Sequence, residues 1–169
     1  MKRIPFFVLA GISVLLASCS ISYRFNGASV DYNTTKTLYL ANFPNQAALI
    51  YPPLEQRFNE ELKDMFIRNT QLRLVNQNGD LEIEGEIVGY ELTPMAVQED
   101  AFASETRLTM TVKMRYRNNK DEGQDKEETI SAYRNFPSDR LLTDVQDQLI
   151  EELCKDIIDQ IFNATMSNW

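Results

Sequence analysis

The chain lacks histidine altogether and contains only two cysteines, Cys19 and Cys154, among its 169 residues. Histidine is the side chain that most often acts as a general base or metal ligand near neutral pH, so its absence removes the commonest route to either kind of site. Acidic residues are abundant, but no two of them have a spacing that marks a catalytic pair. We therefore expect no metal, no cofactor and no enzymatic activity.

The sequence also lacks an apolar run long enough to cross a membrane. The stretch from Pro5 to Leu16 is largely apolar, but a span of the roughly 30 Å hydrocarbon core needs about 20 apolar residues. Two basic residues, Lys2 and Arg3, precede this stretch, and small residues follow it. The arrangement is typical of a secretory signal peptide, which we place at residues 1–18.

The end of this segment, Leu16-Ala17-Ser18-Cys19, resembles the lipobox of bacterial lipoproteins. The resemblance implies that the Cys19 thiol is alkylated with diacylglycerol and that the chain is cut just before it. The alternative is an ordinary signal peptide followed by a chance cysteine. Several acyl chains anchor a protein durably, whereas one chain alone binds a membrane only marginally. Residues 19–35 would then be a lipidated N-terminus and tether. Cys154, left without a disulfide partner, lies among apolar residues and is expected to be a buried, inert thiol.

Negative charge dominates the part of the chain that follows the signal. Without Lys2 and Arg3, the mature chain carries 15 Lys and Arg residues against 25 Asp and Glu residues, a net charge of −10. This excess argues against nucleic acid, whose binding depends on neutralising phosphates. It is compatible with an anionic lipid ligand, because a local basic stripe can act within an acidic protein. The roughly 150 residues after the signal suit one domain, which we place at 36–169.

Apolar periodicity predicts two amphipathic helices in this domain. One runs from about residue 53 to 69, directly after a pair of prolines. The other is long and runs from Asp139 to about Thr165. A short strand, Thr37 to Phe43, precedes the first helix, and Leu72 to Val75 fits either another short strand or the exit from that helix.

Three further segments alternate apolar and polar residues and predict strands with one packed face and one solvent-exposed face. The fold that we predict is α+β, with two amphipathic helices packed on one face of an approximately four-stranded, mostly antiparallel sheet, in the order β-α-β-β-β-α. A parallel pair is also allowed, because a helix separates the first strand from the others. Residues 94–103 form a long loop, and Gly85 and Gly89 share the predicted apolar face, where we interpret them as room for a helix. The alternating segments are Leu81 to Ile87, Arg107 to Arg117 and Thr129 to Tyr133.

The solvent-exposed face of the predicted sheet carries rows of opposite charge. If the 94–103 loop is the turn, a row of glutamates on one strand lies beside a row of basic residues on the next. One interpretation is cross-strand charge pairing, which stabilises a sheet modestly. The other is a polar surface presented to a partner or to a phosphorylated lipid, and both can hold. The glutamates are Glu82, Glu84 and Glu86, and the basic residues, our candidate ligand-binding residues, are Arg107, Lys113, Arg115 and Arg117.

Six short motifs follow the lipobox along the whole mature chain. They are Tyr23-x-Phe25-x-Gly27-x-Ser29, Asn42-Phe43-Pro44-Asn45, Leu81-x-Ile83-x-Gly85-x-Ile87, Arg107-Leu108-Thr109, Ile161-Phe162-Asn163-Ala164 and the terminal Asn168-Trp169. In this order they resemble the LptE-type lipoproteins of the Bacteroidetes group. Each motif alone is modest, and the order makes the resemblance specific.

The resemblance implies a lipoprotein at the inner leaflet of the outer membrane, which plugs an LptD-type β-barrel and helps to deliver lipopolysaccharide to the cell surface. It also implies a two-helix, four-stranded α+β fold, and a binder rather than a catalyst. Large barrels have polar interiors, which suits a compact domain with charged faces. Ser20-Ile21-Ser22 contains no acidic cluster, which favours a position facing the periplasm. The four basic residues are candidates for contact with lipopolysaccharide by charge alone.

Two other functions stay open at the level of sequence. A stand-alone ligand-binding or scaffolding lipoprotein of the envelope would need no barrel partner. An envelope hydrolase with paired carboxylates would need a cleft that contains two buried acids.

Overall fold

The computed structural model describes residues 30–95 and 104–166. The predicted signal peptide, Cys19, most of the tether and the terminal Asn168-Trp169 motif lie outside the described residues. So does most of the predicted 94–103 loop. The account below therefore concerns the two described ranges.

The sheet has five strands in the order β2-β1-β3-β4-β5 and is mixed. Strand β1 is parallel to both β2 and β3, whereas β3, β4 and β5 form an antiparallel meander. This confirms the α+β prediction, with the short segment after the first helix supplying one strand more than the approximate count of four. The elements are β1 (Thr37–Leu40), α1 (Pro52–Asn69), β2 (Arg73–Val75), β3 (Leu81–Pro94), β4 (Glu105–Asn118), β5 (Lys126–Pro137) and α2 (Leu142–Met166).

Helix α1 begins at the prolines and buries one stripe of side chains. Pro52 and Pro53 occupy its first positions, where the missing N–H group costs nothing because it would have no partner inside the helix. The helix ends where the Thr70 backbone N–H and Oγ1 both donate to the Phe66 carbonyl, at 3.1 and 2.7 Å. The buried stripe consists of Leu54, Phe58, Leu62 and Phe66, which face the sheet at the predicted spacing.

Helix α2 is 25 residues long, or about 37 Å at 1.5 Å per residue. It begins at Leu142 rather than at the predicted Asp139, because a turn in which the Arg140 N–H donates to the Pro137 carbonyl comes first. Cys154 lies on its buried face and is fully inaccessible to solvent. Burial raises the pKa of this thiol to about 12, which agrees with the predicted inert cysteine.

The two glycines of β3 differ from the prediction, because a β-bulge lies between Ile87 and Gly89. The extra residue turns Gly89 to the outer face, where it pairs with Thr111. Gly85 does face the interior, but the group that fills its space is the ring of Phe43 and not a helix. Because Gly85 has no side chain, the loop between β1 and α1 packs directly against the sheet at this position.

The chain enters the fold at the end of the sheet where β3 begins, held by the Asp80 carboxylate. Asp80 Oδ2 accepts from the backbone N–H groups of Lys36 and Thr37 at 2.9 and 3.0 Å. Its Oδ1 lies 2.9 Å from Lys120 Nζ, in the turn between β4 and β5. These contacts hold the pKa of the Asp80 carboxyl well below its usual range, with the Lys120 bond as the largest cause. We refer to this end of the sheet as the base.

Candidate functional site

The outer face of strands β3, β4 and β5 is the surface on which the sequence predicts a site. Alternate residues of β4 are buried on the helix side, and those between them point outward. Across the β3–β4 pair, Glu82 lies opposite Arg117 and Glu84 opposite Arg115. The two predicted rows of charge thus meet in the structure.

The two arginines nearest the base form ion pairs within the sheet. Arg117 Nη1 lies 3.6 Å from a Glu82 oxygen, and Arg117 Nη2 lies 3.5 Å from a Glu84 oxygen. Arg115 crosses to the other neighbouring strand, where its Nε and Nη2 donate to Glu127 Oε1 at 3.1 and 2.9 Å. This contact lowers the pKa of the Glu127 carboxyl. Exposed pairs of this kind contribute little to stability, so they shape the surface more than they hold the fold.

Lys113 differs from the two arginines. It lies opposite Glu86 in the β3–β4 register, yet no carboxylate of the described ranges comes within 4.0 Å of its ammonium group. Lys113 and Arg115 border a shallow depression of about 210 Å³ over Gly85. Three glutamates also line the depression, so its charge does not select an anion. The glutamates are Glu84, Glu86 and Glu127.

The structure does not bring Arg107 to the other three basic residues. It lies six positions from Lys113 on β4, or about 20 Å along the strand. Its guanidinium stacks 4.0 Å from the centre of the Tyr133 ring, and its Nε donates to Asn135 Oδ1 at 3.1 Å. Between the two groups of charge, the Thr111 and Ser131 hydroxyls lie 2.9 Å apart. The outer face therefore has a charged half near the base, a band of hydroxyls, and an arginine–tyrosine cluster beyond it.

Sequence reasoning missed the contribution of β5 to this face. Glu127, Tyr133 and Asn135 all contact basic residues that were predicted as candidates. Part of the signal was present, because β5 alternates buried and exposed residues from Ile130 to Phe136, which places Tyr133 and Asn135 on the outer face; Glu127 lies before this alternation begins. It also missed Arg134, a charged residue on the helix side of β5. The Arg134 Nε and Nη2 lie 2.7 Å from oxygens of two α2 carboxylates, Glu152 and Asp156.

The cleft that a carboxylate hydrolase would need is not found in the part of the chain that the structure describes. Its buried polar or charged residues are Thr35, Asn118 and Thr165, and none of them is an acid. Within residues 30–95 and 104–166 no group of three possible metal ligands comes together. No described helix is both long enough and apolar enough to span a bilayer.

A comparison with protein families finds a match over nearly the whole described fold. The family is LptE, described as Lipopolysaccharide-assembly, and the matched residues are 35–165. This chain belongs to the LptE family. The match includes all five strands, α1 and almost all of α2, so the outer face and the helices that support it are features of an LptE domain. A comparison with curated protein sequences finds no match.

Solved structures share this architecture at low sequence identity. A Xanthomonas campestris protein is 11% identical, with a TM-score of 0.56 over 83% of this chain and 87% of its own. A hypothetical protein of Chlamydia trachomatis is 11% identical, with a TM-score of 0.51 over 77% and 97%. A minor lipoprotein of Acinetobacter baumannii is 19% identical, with a TM-score of 0.49 over 75% and 89%. At these identities the first two likenesses show a common fold and no more.

Proposed function

We propose that this LptE-family chain is a non-catalytic outer-membrane lipoprotein that plugs an LptD-type β-barrel during lipopolysaccharide assembly. The observation that carries the proposal is the family match over residues 35–165. The lipobox-like sequence before Cys19 supports the anchor. In this proposal the protein occupies and supports a pore, and it performs no bond-breaking step.

The chemistry of the outer face supports insertion into a barrel. That face carries charged side chains near the base and hydroxyls such as Thr111 and Ser131 further along. Large barrels have polar, water-filled interiors, and a polar sheet face can exchange its water contacts for hydrogen bonds to such a wall. A lipid-facing surface would instead need a broad apolar band.

The position of the base is compatible with an anchor at Cys19, and the lack of acidic residues in Ser20-Ile21-Ser22 supports a domain that faces the periplasm. Val30, the first described residue, packs against the core beside the last turn of α2. Ten residues separate it from Cys19, so the eleven Cα–Cα steps between them span at most about 40 Å when fully extended. The anchor therefore keeps the base close to the membrane while the domain can still turn toward a barrel mouth.

Contact with lipopolysaccharide is a finer proposal, and of the three basic candidates near the base Lys113 is the best placed. The guanidinium groups of Arg115 and Arg117 already have carboxylate partners, whereas the Lys113 ammonium is exposed and has none among the described residues. A phosphate group at Lys113 would lie near the glutamates of the depression but would break no ion pair, whereas at Arg115 it would compete with Glu127. We expect Lys113→Ala to weaken binding of purified lipopolysaccharide more than Arg115→Ala does.

A stand-alone scaffolding lipoprotein is the alternative, and one observation favours it. Arg115 and Arg117 are satisfied within the sheet itself, so these two arginines need no partner to balance their charges. Such a protein would stay in the envelope alone, and cells would tolerate its deletion.

Extraction of the full-length, affinity-tagged protein from its own envelopes in mild detergent separates these possibilities. The plug proposal predicts incorporation of labelled palmitate that Cys19→Ser abolishes, and co-purification of a β-barrel of much greater mass. A palmitate-labelled protein that is recovered without any barrel would favour the stand-alone alternative. An unlabelled, freely secreted protein would refute both.

A further inference from the structure

Strand β5 forms one edge of the sheet and has a free side. It pairs with β4 along its whole length, from Lys126 to Pro137. Within the two described ranges no other strand pairs with it. The strand at the opposite edge, β2, has only three residues, so β5 is by far the longer exposed edge.

The hydrogen-bond pattern identifies the backbone groups that face this free side. The Ser138 N–H donates to the Ser104 carbonyl at 3.0 Å, and in an antiparallel ladder the direction alternates from residue to residue. Even-numbered residues of β5 therefore bond to β4, and odd-numbered residues direct their N–H and C=O groups outward. Tyr133 agrees, because its carbonyl accepts from Arg134 Nη1 at 3.0 Å. The outward-directed residues are Glu127, Thr129, Ser131, Tyr133 and Asn135, and all five are exposed.

A second copy of the chain does not fit this edge. Helix α2 packs mainly over β5 on the inner face, where Arg134 meets two of its carboxylates. Two β5 strands paired about a two-fold axis would lie about 4.8 Å apart, whereas packed helix axes need roughly 8–10 Å. The two α2 helices would overlap, so the occupant of this edge is a strand that has no helix above it.

The charges beside the edge determine the chemistry of that strand. On the helix side the flank of α2 presents Glu152 and Asp156, and helical periodicity places Asp159 on the same flank. Glu128 of β5 is exposed on this side and has no ion pair among the described residues. Two basic residues of β5 also lie on this side, and α2 already binds both: Arg134 pairs with Glu152 and Asp156, and Lys126 Nζ donates to the Ala164 carbonyl at 2.6 Å. Lys155 of α2 is exposed beside the same flank, whereas Asp159, like Glu128, has no ion pair among the described residues. Edge charges discourage pairing between like strands, and an acidic edge admits a basic strand.

We propose that the free edge of β5 binds an extended, lysine- or arginine-bearing segment of the barrel partner as an additional strand of the sheet. Backbone bonds to the five outward-directed residues would supply affinity, and contacts with Glu128 and the α2 flank would supply specificity. This inference rests on the proposed function, because the occupant belongs to the barrel.

Residue-resolved hydrogen exchange on the full-length lipoprotein, alone and in its purified barrel complex, tests the proposal. Even-numbered amides of β5 should be slow in both states, since they bond to β4. The amides of Thr129, Ser131 and Tyr133 should exchange fast in the free protein and at least tenfold more slowly in the complex. This alternation distinguishes an added strand from simple coverage of the outer face.

Every other outcome has a defined meaning. If no barrel co-purifies, the proposed function fails, and the strand inference fails with it. If the complex forms but these three amides still exchange fast, only the strand inference is overturned. If they are already slow in the free protein, a second copy or another segment of this chain covers the edge, and the inference is again wrong.

Two kinds of variant provide an independent test by barrel co-purification. Ser131→Pro removes one outward N–H group and keeps the bonds to β4, and proline is tolerated on edge strands. It should weaken the complex about tenfold, whereas Ser131→Ala keeps the N–H and should have little effect. If Ser131→Pro fails to fold, Glu128→Lys serves instead and should weaken the complex about fivefold, with the distant Glu60→Lys on α1 as its matched control. Equal affinity for Glu128→Lys and Glu60→Lys would overturn the inference.

Discussion

Replacing Asp80 by asparagine should loosen the base of the domain and remove a pH dependence of stability. The carboxylate accepts from two backbone N–H groups and from an ammonium group, and the backbone N–H of Asp80 donates to Thr37 Oγ1 at 2.8 Å. Asparagine keeps one oxygen for the two amides but loses the charge and the ion pair with Lys120. Hydrogen bonds to charged groups contribute about 1.5–3 kcal/mol each, so we expect a loss of roughly 2 kcal/mol for Asp80→Asn at pH 7.

The sign of the pH dependence follows from the lowered pKa of Asp80 in the folded state. In the unfolded chain this carboxyl titrates near its ordinary value of about 3.9. Its contribution to stability is therefore complete above that value and is lost as the pH falls toward the folded pKa. Asparagine does not titrate, so the difference between wild type and Asp80→Asn should shrink as the pH falls below about 4.

Urea unfolding of purified protein at pH 7 and at several lower pH values measures both effects. Asp64→Asn is the matched control. Asp64 forms an exposed ion pair with Arg68, four residues further along α1, at 2.8 Å, and pairs of this kind contribute at most about 0.5 kcal/mol to stability. Two results would refute the reasoning. One is an Asp80→Asn protein as stable as the control at pH 7, and the other is a difference from wild type that stays constant as the pH falls.

Three other predictions test the interior and the contact between β5 and α2. Gly85→Ala should lower the free energy of unfolding in urea by about 3 kcal/mol, because the new methyl group would overlap the Phe43 ring and the Lys113 carbonyl. Gly123→Ala is the control: the nearest atom to its methyl group would be 3.2 Å away, and the loss should be less than about 0.5 kcal/mol. Cys154 should resist iodoacetamide at pH 8 in the folded protein and react once urea unfolds the chain, since burial raises its pKa to about 12. Peptide mass mapping measures the alkylation, and an alkylated Cys154 in the folded protein would contradict the prediction. Arg134→Met should lower the free energy of unfolding by about 1 kcal/mol at low salt, because it removes two ionic contacts of 2.7 Å to α2. This difference in stability from wild type should become smaller in 1 M NaCl. A loss that does not depend on salt would indicate that Arg134 acts through packing instead.

The elements that could be predicted from sequence are those whose periodicity repeats over several turns or pleats. Helix α1 was predicted within one residue of its observed start at Pro52, because four buried side chains recur along it. The alternation in β4 continues from Glu105 to Asn118, which determines the face of the sheet on which each side chain lies. Strand β2 has three residues, too few to distinguish a strand from the end of a helix, and it becomes a strand only because β1 lies beside it.

The candidate site was predictable in its composition but not in its pairing. Alternation placed the glutamate row and the basic row on one face, and the register brings them together as expected. It could not show that Arg115 selects Glu127 on β5 rather than a glutamate on β3. That choice depends on side-chain reach across a twisted sheet, where opposite and diagonal neighbours are both accessible. The bulge after Ile87 was also hidden, because a single inserted residue leaves no period of its own.

The outer face and the β5 edge form one continuous surface, and this follows from the alternation of the strand. The odd-numbered residues of β5 point their side chains to the outer face and their backbone groups to the free side. A barrel wall that covers Tyr133 and Glu127 would therefore also reach the N–H groups beside them. Side-chain variants at these positions alter the face alone, whereas Ser131→Pro alters the edge while its neighbours keep their side chains. A complex that tolerates side-chain truncation but not the proline would assign the binding energy to the backbone, and the reverse result would assign it to the charged face.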